Sequence, residues 1–220
     1  MLLILIPGRY NSYCFNAALF ISSLTFILSL IMWLIFDSGH NSFQFLCTID
    51  WLPAFNFYYT VGVDGISLFF LILTTFLIMV CVLISWGSIN YRLKEYLINF
   101  LLLEFLLIQV FSVLDLLLFY VFFESILMPM FLIIGIWGSR ERKIRAAYQF
   151  FLYTLVGSVL MLLGILIIYS HGGTTDLQML WNLEFSEKKQ IFLWVSFFLS
   201  FAVKIPMMPF HIWLSEAHAE

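Results

Sequence analysis

Apolar residues run along this chain in long blocks, and charges fall almost only where the blocks end. Arg9 and Asp37 are separated by 27 uncharged residues, Asp64 and Arg92 by 27, and Arg145 and Asp176 by 30. A bilayer core about 30 Å thick takes roughly 20 residues of α-helix, so each block is long enough to cross with some tilt. Spanning helices are expected near residues 12–36, 64–86 and 146–170. The stretch from Glu95 to Trp137 is 43 residues long and nearly as apolar, but carries Glu104, Asp115 and Glu124. Its length suits two helices, near 95–114 and 115–137, joined by a tight turn with Asp115 as an interfacial residue. A last span is expected near 190–214, containing Lys204, Pro206 and Pro209. Residues 1–11 open on Met1-Leu-Leu-Ile-Leu-Ile6 and read as the remnant of a first helix and a short loop. That run is too short to span or to act as a signal peptide. The pattern predicts an all-α polytopic transmembrane helix bundle of about six full spans over 12–220, its last helix broken by prolines.

Composition removes the alternatives. Of the 220 residues, 63% are hydrophobic, 20% aromatic and 10% charged. A soluble domain is about 45–50% apolar and about 25% charged, and a fold of this length cannot hide so much apolar surface from water. A soluble enzyme, a secreted disulfide scaffold and a disordered chain are excluded. The net charge of −3 gives no support for nucleic-acid binding. Cys14, Cys47 and Cys81 have no ligand spacing and read as small apolar residues. His211, Glu216, His218 and Glu220 lack the HExxH spacing of a metal site, and no phosphate loop or haem or flavin fingerprint occurs. No cofactor and no metal are therefore expected in this chain.

Charge also orients the bundle. With the Arg9 end inside, alternation puts seven of the ten Lys and Arg inside, including Arg92, Lys94, Arg140, Arg142, Lys143 and Arg145. Lys188 and Lys189 fall outside, in keeping with the positive-inside rule. The outside loop from Asp37 to Val63 has no Lys or Arg and is rich in aromatics. Its Phe, Thr and Tyr content suits a short surface hairpin.

Three ionisable groups sit deep inside apolar helices: Glu104, Glu124 and Lys204. Placing a charge mid-helix in a membrane costs at least ~2.5–3.5 kcal/mol for Lys or Asp on insertion scales. Glu104 lies ten residues before Leu114 and Glu124 ten after it. A hairpin turning at Leu114 would set both carboxylates about 15 Å from the turn. Lys204, fourteen residues beyond Gln190, would reach a similar level. A proton on a buried lysine is controlled by its distance to a carboxylate, so the functional reading is a proton relay. The alternative is a static buried ion pair that only orients helices. Pro206 and Pro209 break the backbone ladder just after Lys204, and broken transmembrane helices are tolerated where they line polar cavities. His218 is a further candidate for carrying protons, because imidazole titrates near neutrality.

Three runs carry a family resemblance. They are Leu114-Asp-Leu-Leu-Leu-Phe-Tyr-Val-Phe-Phe-Glu124 onward to Gly138, Ala147-Tyr-Gln-Phe-Phe to Ser158, and Phe201-Ala-Val-Lys204-Ile-Pro-Met-Met-Pro-Phe-His to His218. They resemble the chain 4 family of NADH–quinone oxidoreductase (complex I), whose members are proton-translocating, antiporter-like subunits. Weaker similarity extends through Val61-Gly-Val-Asp64-Gly-Ile-Ser67 to about Ala17. The resemblance implies one inverted-repeat half of the antiporter-like fold, with Glu124 and Lys204 as a modulating pair and Glu104 as a second glutamate of less defined role. It implies a membrane-arm subunit contributing to proton translocation coupled to NADH:ubiquinone electron transfer. NAD, FMN, iron–sulfur clusters and ubiquinone would all belong to other subunits. The implied partners are other membrane-arm subunits, membrane lipids and a separate chain supplying the C-terminal half, since the family has fourteen core helices. Ser215 stands where the family usually has proline. The implied location is the mitochondrial inner membrane, with a bacterial plasma membrane as the other choice. A structural scaffold of the complex and a cation/proton antiporter subunit are the rival readings.

Overall fold

The computed structural model describes residues 11–40, 42–52, 56–89, 91–139 and 141–217. The expected first-helix remnant and His218 lie outside these residues, apart from Asn11. Helices α1 (Asn11–Ile35), α2 (Gly65–Ile84) and α3 (Leu93–Ser112) are followed by α4 (Leu116–Ser125), α5 (Leu127–Trp137) and α6 (Lys143–Gly172). The short α7 (Leu177–Leu180), then α8 (Glu187–Lys204) and α9 (Ile212–Ala217) complete the helices. Strands β1 (Gln44–Leu52) and β2 (Phe57–Val63) pair as a two-stranded sheet, within the aromatic loop where a hairpin was expected. The chain divides into two compact units. One comprises residues 1–46 and 62–112, the other 47–61 and 113–220.

In the first unit, α1, α2 and α3 pack on one another. The start of α2 is set by Asp64. Its carboxylate accepts from the Ser67 N–H at 2.7 Å, and the Ser67 hydroxyl accepts from the Asp64 N–H at 2.9 Å. This reciprocal box satisfies two of the donors a helix start leaves free. The helices approach through small side chains: Cys14 and Ala18 of α1 are fully buried against Ile78, Val82 and Leu97. Between helices in lipid the apolar driving force is weak, and close packing of small residues carries the association. The outward surface is large and apolar, with Phe20, Leu34 and Ile66 well exposed. Such a face is an aggregation liability in water and an ordinary one against acyl chains.

The second unit is built around α6, the longest helix, against which α4, α5, α8 and α9 pack. Its C-terminal end is a left-handed cap: Gly173 has φ 66°, and its N–H donates to the Tyr169 carbonyl at 2.8 Å. Glycine reaches that conformation without penalty. At the other end, the Lys143 ammonium donates to the Ile136 carbonyl at 2.8 Å and so covers the last turn of α5.

The segment between α3 and α4 differs from the sequence expectation. Asp115 stands at the expected turn but is buried, at 3% exposed, and does more than turn the chain. Three extended stretches meet there. The Leu114 N–H donates to the Thr60 carbonyl at 2.8 Å, Leu116 N–H to the Thr175 carbonyl at 3.0 Å, and Leu177 N–H to the Leu114 carbonyl at 2.9 Å. The Asp115 carboxylate caps α4 by accepting from Leu117 and Leu118 N–H at 2.9 and 3.0 Å, and accepts from the Thr175 hydroxyl at 2.5 Å. Asp176 caps α7 in the same way. The backbone needs partners at this point, and the carboxylate is covered because it supplies them.

Among the described residues, five helical stretches are long and apolar enough to cross a bilayer, with α4 and α5 forming one of them. The sixth expected span corresponds to α8, which is not among the five. Its first turn carries Glu187, Lys188 and Lys189, and its last residue is Lys204. The uncharged run between them extends about 21 Å at 1.5 Å per residue, short of a core of about 30 Å.

Replacing Asp115 should expose what it satisfies. Asp115→Ala is expected to destabilise the protein by roughly 1–3 kcal/mol, from a lost N-cap and a stranded Thr175 hydroxyl. Asp115→Asn should cost less, since it still caps. Thermal unfolding of the purified protein in lipid nanodiscs measures both.

Candidate functional site

Glu124 lies one residue from the end of α4, where the helix is interrupted at Ile126 before α5 begins. Pro129 is buried in the first turn of α5 and has no N–H to return to the carbonyl of Ser125 four residues earlier. The helix is therefore weakened beside its carboxylate. Lys204 is the last residue of α8. Pro206 cannot serve the Ala202 carbonyl, and the Met207 N–H takes its place at 2.9 Å. The next carbonyl, Val203, accepts from the Trp213 indole N–H at 2.8 Å. Trp213 is itself buried against Phe150 and Leu127. The break thus falls where the prolines were expected to put it, and a side chain from α9 closes it.

Lys204 does not pair with Glu124 within 4 Å; the ion pairs among the described residues are both exposed, His40 with Asp37 and Arg92 with Glu95. Instead the ammonium donates to the Phe123 carbonyl at 2.6 Å and sits 3.2 Å from the Phe123 ring centroid. It is therefore docked on the residue that precedes Glu124. The Glu124 carboxyl keeps one oxygen, Oε1, buried with no hydrogen-bond partner. The Ser158 hydroxyl of α6 stands in hydrogen-bonding reach of the Glu124 carboxyl and of the Tyr120 hydroxyl. Ser200, one turn before Lys204 on α8, is 2% exposed and its hydroxyl has no partner. Buried polar atoms are normally paired, and Glu124 Oε1 and Ser200 Oγ are two that are not.

The position observed for Lys204 can be weighed against an ion pair. A hydrogen bond to a charged group is worth about 1.5–3 kcal/mol, and a desolvated cation–π contact adds roughly 2 kcal/mol. An ion pair at 4 Å is worth about 4 kcal/mol at an effective dielectric of 20. The seat on Phe123 is therefore comparable in strength to an ion pair.

The α6–α8 contact sets how far Lys204 reaches. A Cβ added at Gly157 would lie 2.9 Å from the Val203 Cβ, and one at Gly164 only 2.7 Å from the Ser196 hydroxyl. Both glycines let α8 approach α6 closely enough for Lys204 to reach Phe123.

Glu104 belongs to the first unit. It is 2% exposed on α3 and accepts from the Thr25 hydroxyl of α1. The structure therefore gathers Glu124 and Lys204 with Ser158, Tyr120 and Phe123, and sets Glu104 among its own neighbours. Sequence reading missed the Phe123 carbonyl and ring, Tyr120 and Ser200. Two of these had a signal: Tyr120 and Ser200 stand one turn before Glu124 and Lys204, on the same helix faces. The carbonyl left none. Among the described residues no group of three His, Cys, Asp or Glu is placed to hold a metal ion.

Fold and site together describe a polytopic helix bundle in which a lysine ends a broken helix beside a glutamate-bearing one. A family model described as the transmembrane region of NADH:quinone oxidoreductase/Mrp antiporter matches residues 113–220. NADH-ubiquinone oxidoreductase chain 4 of Chondrus crispus is 68% identical over 219 residues, covering 100% of this chain and 44% of that relative. The Arabidopsis thaliana chain 4 is 58% identical over 220 residues with the same coverage. Among solved structures, respiratory complex I from Thermus thermophilus with bound NADH superposes with a TM-score of 0.83 at 29% identity, over 99% of this chain and 46% of that one. The Mrp complex from Dietzia sp. DQ12-45-1b gives 0.82 at 16% identity, over 96% and 23%, a likeness of fold. The chain belongs to the NADH:quinone oxidoreductase/Mrp antiporter membrane-subunit family. It spans about 44% of the length of the curated relatives it matches. With eukaryotic relatives and five apolar helices, it is a multi-pass protein of the mitochondrial inner membrane.

Filling the glycine notch tests the contact that places Lys204. Gly157→Val is expected to overpack the α6–α8 interface by about 1–3 kcal/mol and to lower the unfolding temperature in nanodiscs. Adding Val203→Gly should restore part of the loss; no recovery would mean that the clash lies elsewhere.

Proposed function

We propose that this chain handles protons within the membrane arm of a respiratory complex that couples NADH:ubiquinone electron transfer to proton translocation. The reading is carried by one observation: the Lys204 ammonium rests on the Phe123 carbonyl and ring while the neighbouring Glu124 carboxyl keeps an unpartnered buried oxygen. In the proposed cycle Lys204 moves between this resting place and Glu124. Its hold on a proton depends on which neighbour it faces. When the ammonium closes on Glu124, its proton is kept; when it withdraws, a proton can pass to water or to the next polar group. Ser158, Tyr120 and Ser200 are the groups placed to receive or relay it. NADH, FMN, iron–sulfur clusters and ubiquinone are assigned to other subunits, and the driving event reaches this chain as movement of helix ends. His218 is retained as a candidate relay beyond the described residues. The family resemblance supports pairing Glu124 with Lys204, and the complex I and chain 4 relatives support the membrane-arm setting.

The test is made in the assembled complex, reconstituted in vesicles. Lys204→Ala and Glu124→Gln should each cut NADH-driven proton uptake by roughly tenfold or more, equivalent to at least about 1.4 kcal/mol on the limiting barrier. Native gels should still show the assembled complex. Normal uptake in either variant would sink the assignment. Loss of assembly with normal uptake per assembled complex would instead identify a scaffold, and sodium- or potassium-coupled flux without the complex would identify an antiporter.

A further inference from the structure

Glu104 is 2% exposed, and among the described residues it has no cation beside it. The helices packed on it, α1 and α2, contain no Asp, Glu, Lys, Arg or His at all. Their titratable groups are Tyr13 and Cys14 of α1 and Cys81 of α2. On α3 itself, Lys94, Glu95 and Tyr96 lie eight to ten residues before Glu104, about 12–15 Å along the axis. The polar groups of the neighbouring helices are hydroxyls. Thr25 Oγ1 of α1 meets Glu104 Oε1, and four residues on, Ser29 Oγ meets Thr75 Oγ1 of α2 at 3.0 Å.

Thr25 stands between two acceptors. Its hydroxyl reaches Glu104 Oε1 and also the Ser22 carbonyl, at 2.9 Å. A threonine in a helix commonly bonds back to a carbonyl one turn earlier. The second contact, to a carboxyl 79 residues away, is what sets this one apart. A hydroxyl has one proton to give and two lone pairs to receive with. It can therefore serve either Ser22 or Glu104 as donor, but not both at once.

We propose that Thr25 and Glu104 form a proton-holding pair in the first unit, in which Thr25 is the positioning residue that partners both protonation states of the carboxyl. With Glu104 ionised, Thr25 donates to Oε1. When hydronium gives its proton to Oε1 and leaves as water, the new O–H donates to Thr25 Oγ1, and the threonine proton turns to the Ser22 carbonyl. Within the pair, only the carboxyl O–H bond forms or breaks. The hydrogen bond between Thr25 Oγ1 and Glu104 Oε1 persists in both states without a counter-cation, so the carboxyl can load and unload a proton where no lysine assists it. This pair uses neither Glu124 nor Lys204 and does not depend on the role proposed for them.

Infrared difference spectroscopy with pH, on the complete subunit in its membrane complex, reads the pair directly. A protonated-carboxyl C=O band that vanishes in Glu104→Gln is expected to appear as pH falls. In Thr25→Val, which keeps shape and loses the hydroxyl, that band should move to higher frequency. In Thr25→Ser it should stay in place. If the Val variant does not assemble, Thr25→Ala is read in the same way. Absence of a Glu104-dependent band across the pH range, or an unmoved band when the Thr25 hydroxyl is removed, overturns the proposal. Because the readout is a vibration and not pumping, it is independent of the outcome for the Lys204 and Glu124 variants.

Discussion

Inside a bilayer core there is no water to meet a stray polar group, so each carbonyl and each charge has to find its partner in protein. That constraint organises both halves of the site. Pro206 strips the Ala202 carbonyl of its helix donor, and the Met207 N–H supplies another; the Val203 carbonyl is met by the Trp213 indole. Near the interruption at Ile126, the Phe123 carbonyl is met by Lys204. The same need explains Asp115, which is buried because helix starts and extended backbone converge on it.

Two broken helices thus meet across one lysine. Each break alone would leave acceptors in need of a donor, and for the Phe123 carbonyl that donor is the Lys204 ammonium. Its resting place is held by a charge-assisted hydrogen bond and an aromatic face, which together come close to an ion pair in strength. Glycines at 157 and 164 bring the lysine-bearing helix within reach. The chemistry therefore depends on backbone geometry as much as on the two ionisable side chains.

Much of this was legible beforehand, for a physical reason. In lipid, length of an apolar block and position of its charges are nearly sufficient to place a helix, so α1, α2 and α6 fall within a few residues of the blocks read from Arg9, Asp64 and Arg145. Glu124 and Lys204 stood out because a charge in an apolar run is expensive. What stayed hidden was set by tertiary contact. The carbonyl that holds Lys204 belongs to a phenylalanine, a residue type that carries no polar side-chain signal. The burial of Asp115 comes from Thr60 and Thr175, which are far away in sequence. The last expected span is divided between α8 and α9, because the chain breaks just after Lys204.

The Phe123 carbonyl has one further consequence. A lysine tethered to a fixed backbone oxygen has no continuum of intermediate positions, because each part-way position leaves an acceptor bare and an ammonium unsolvated. In the proposed cycle its movement is a step between two seats. Such a device would work as a detent: it would ignore small jostling of the helices and transfer its charge only when the displacement exceeds the width of a hydrogen bond.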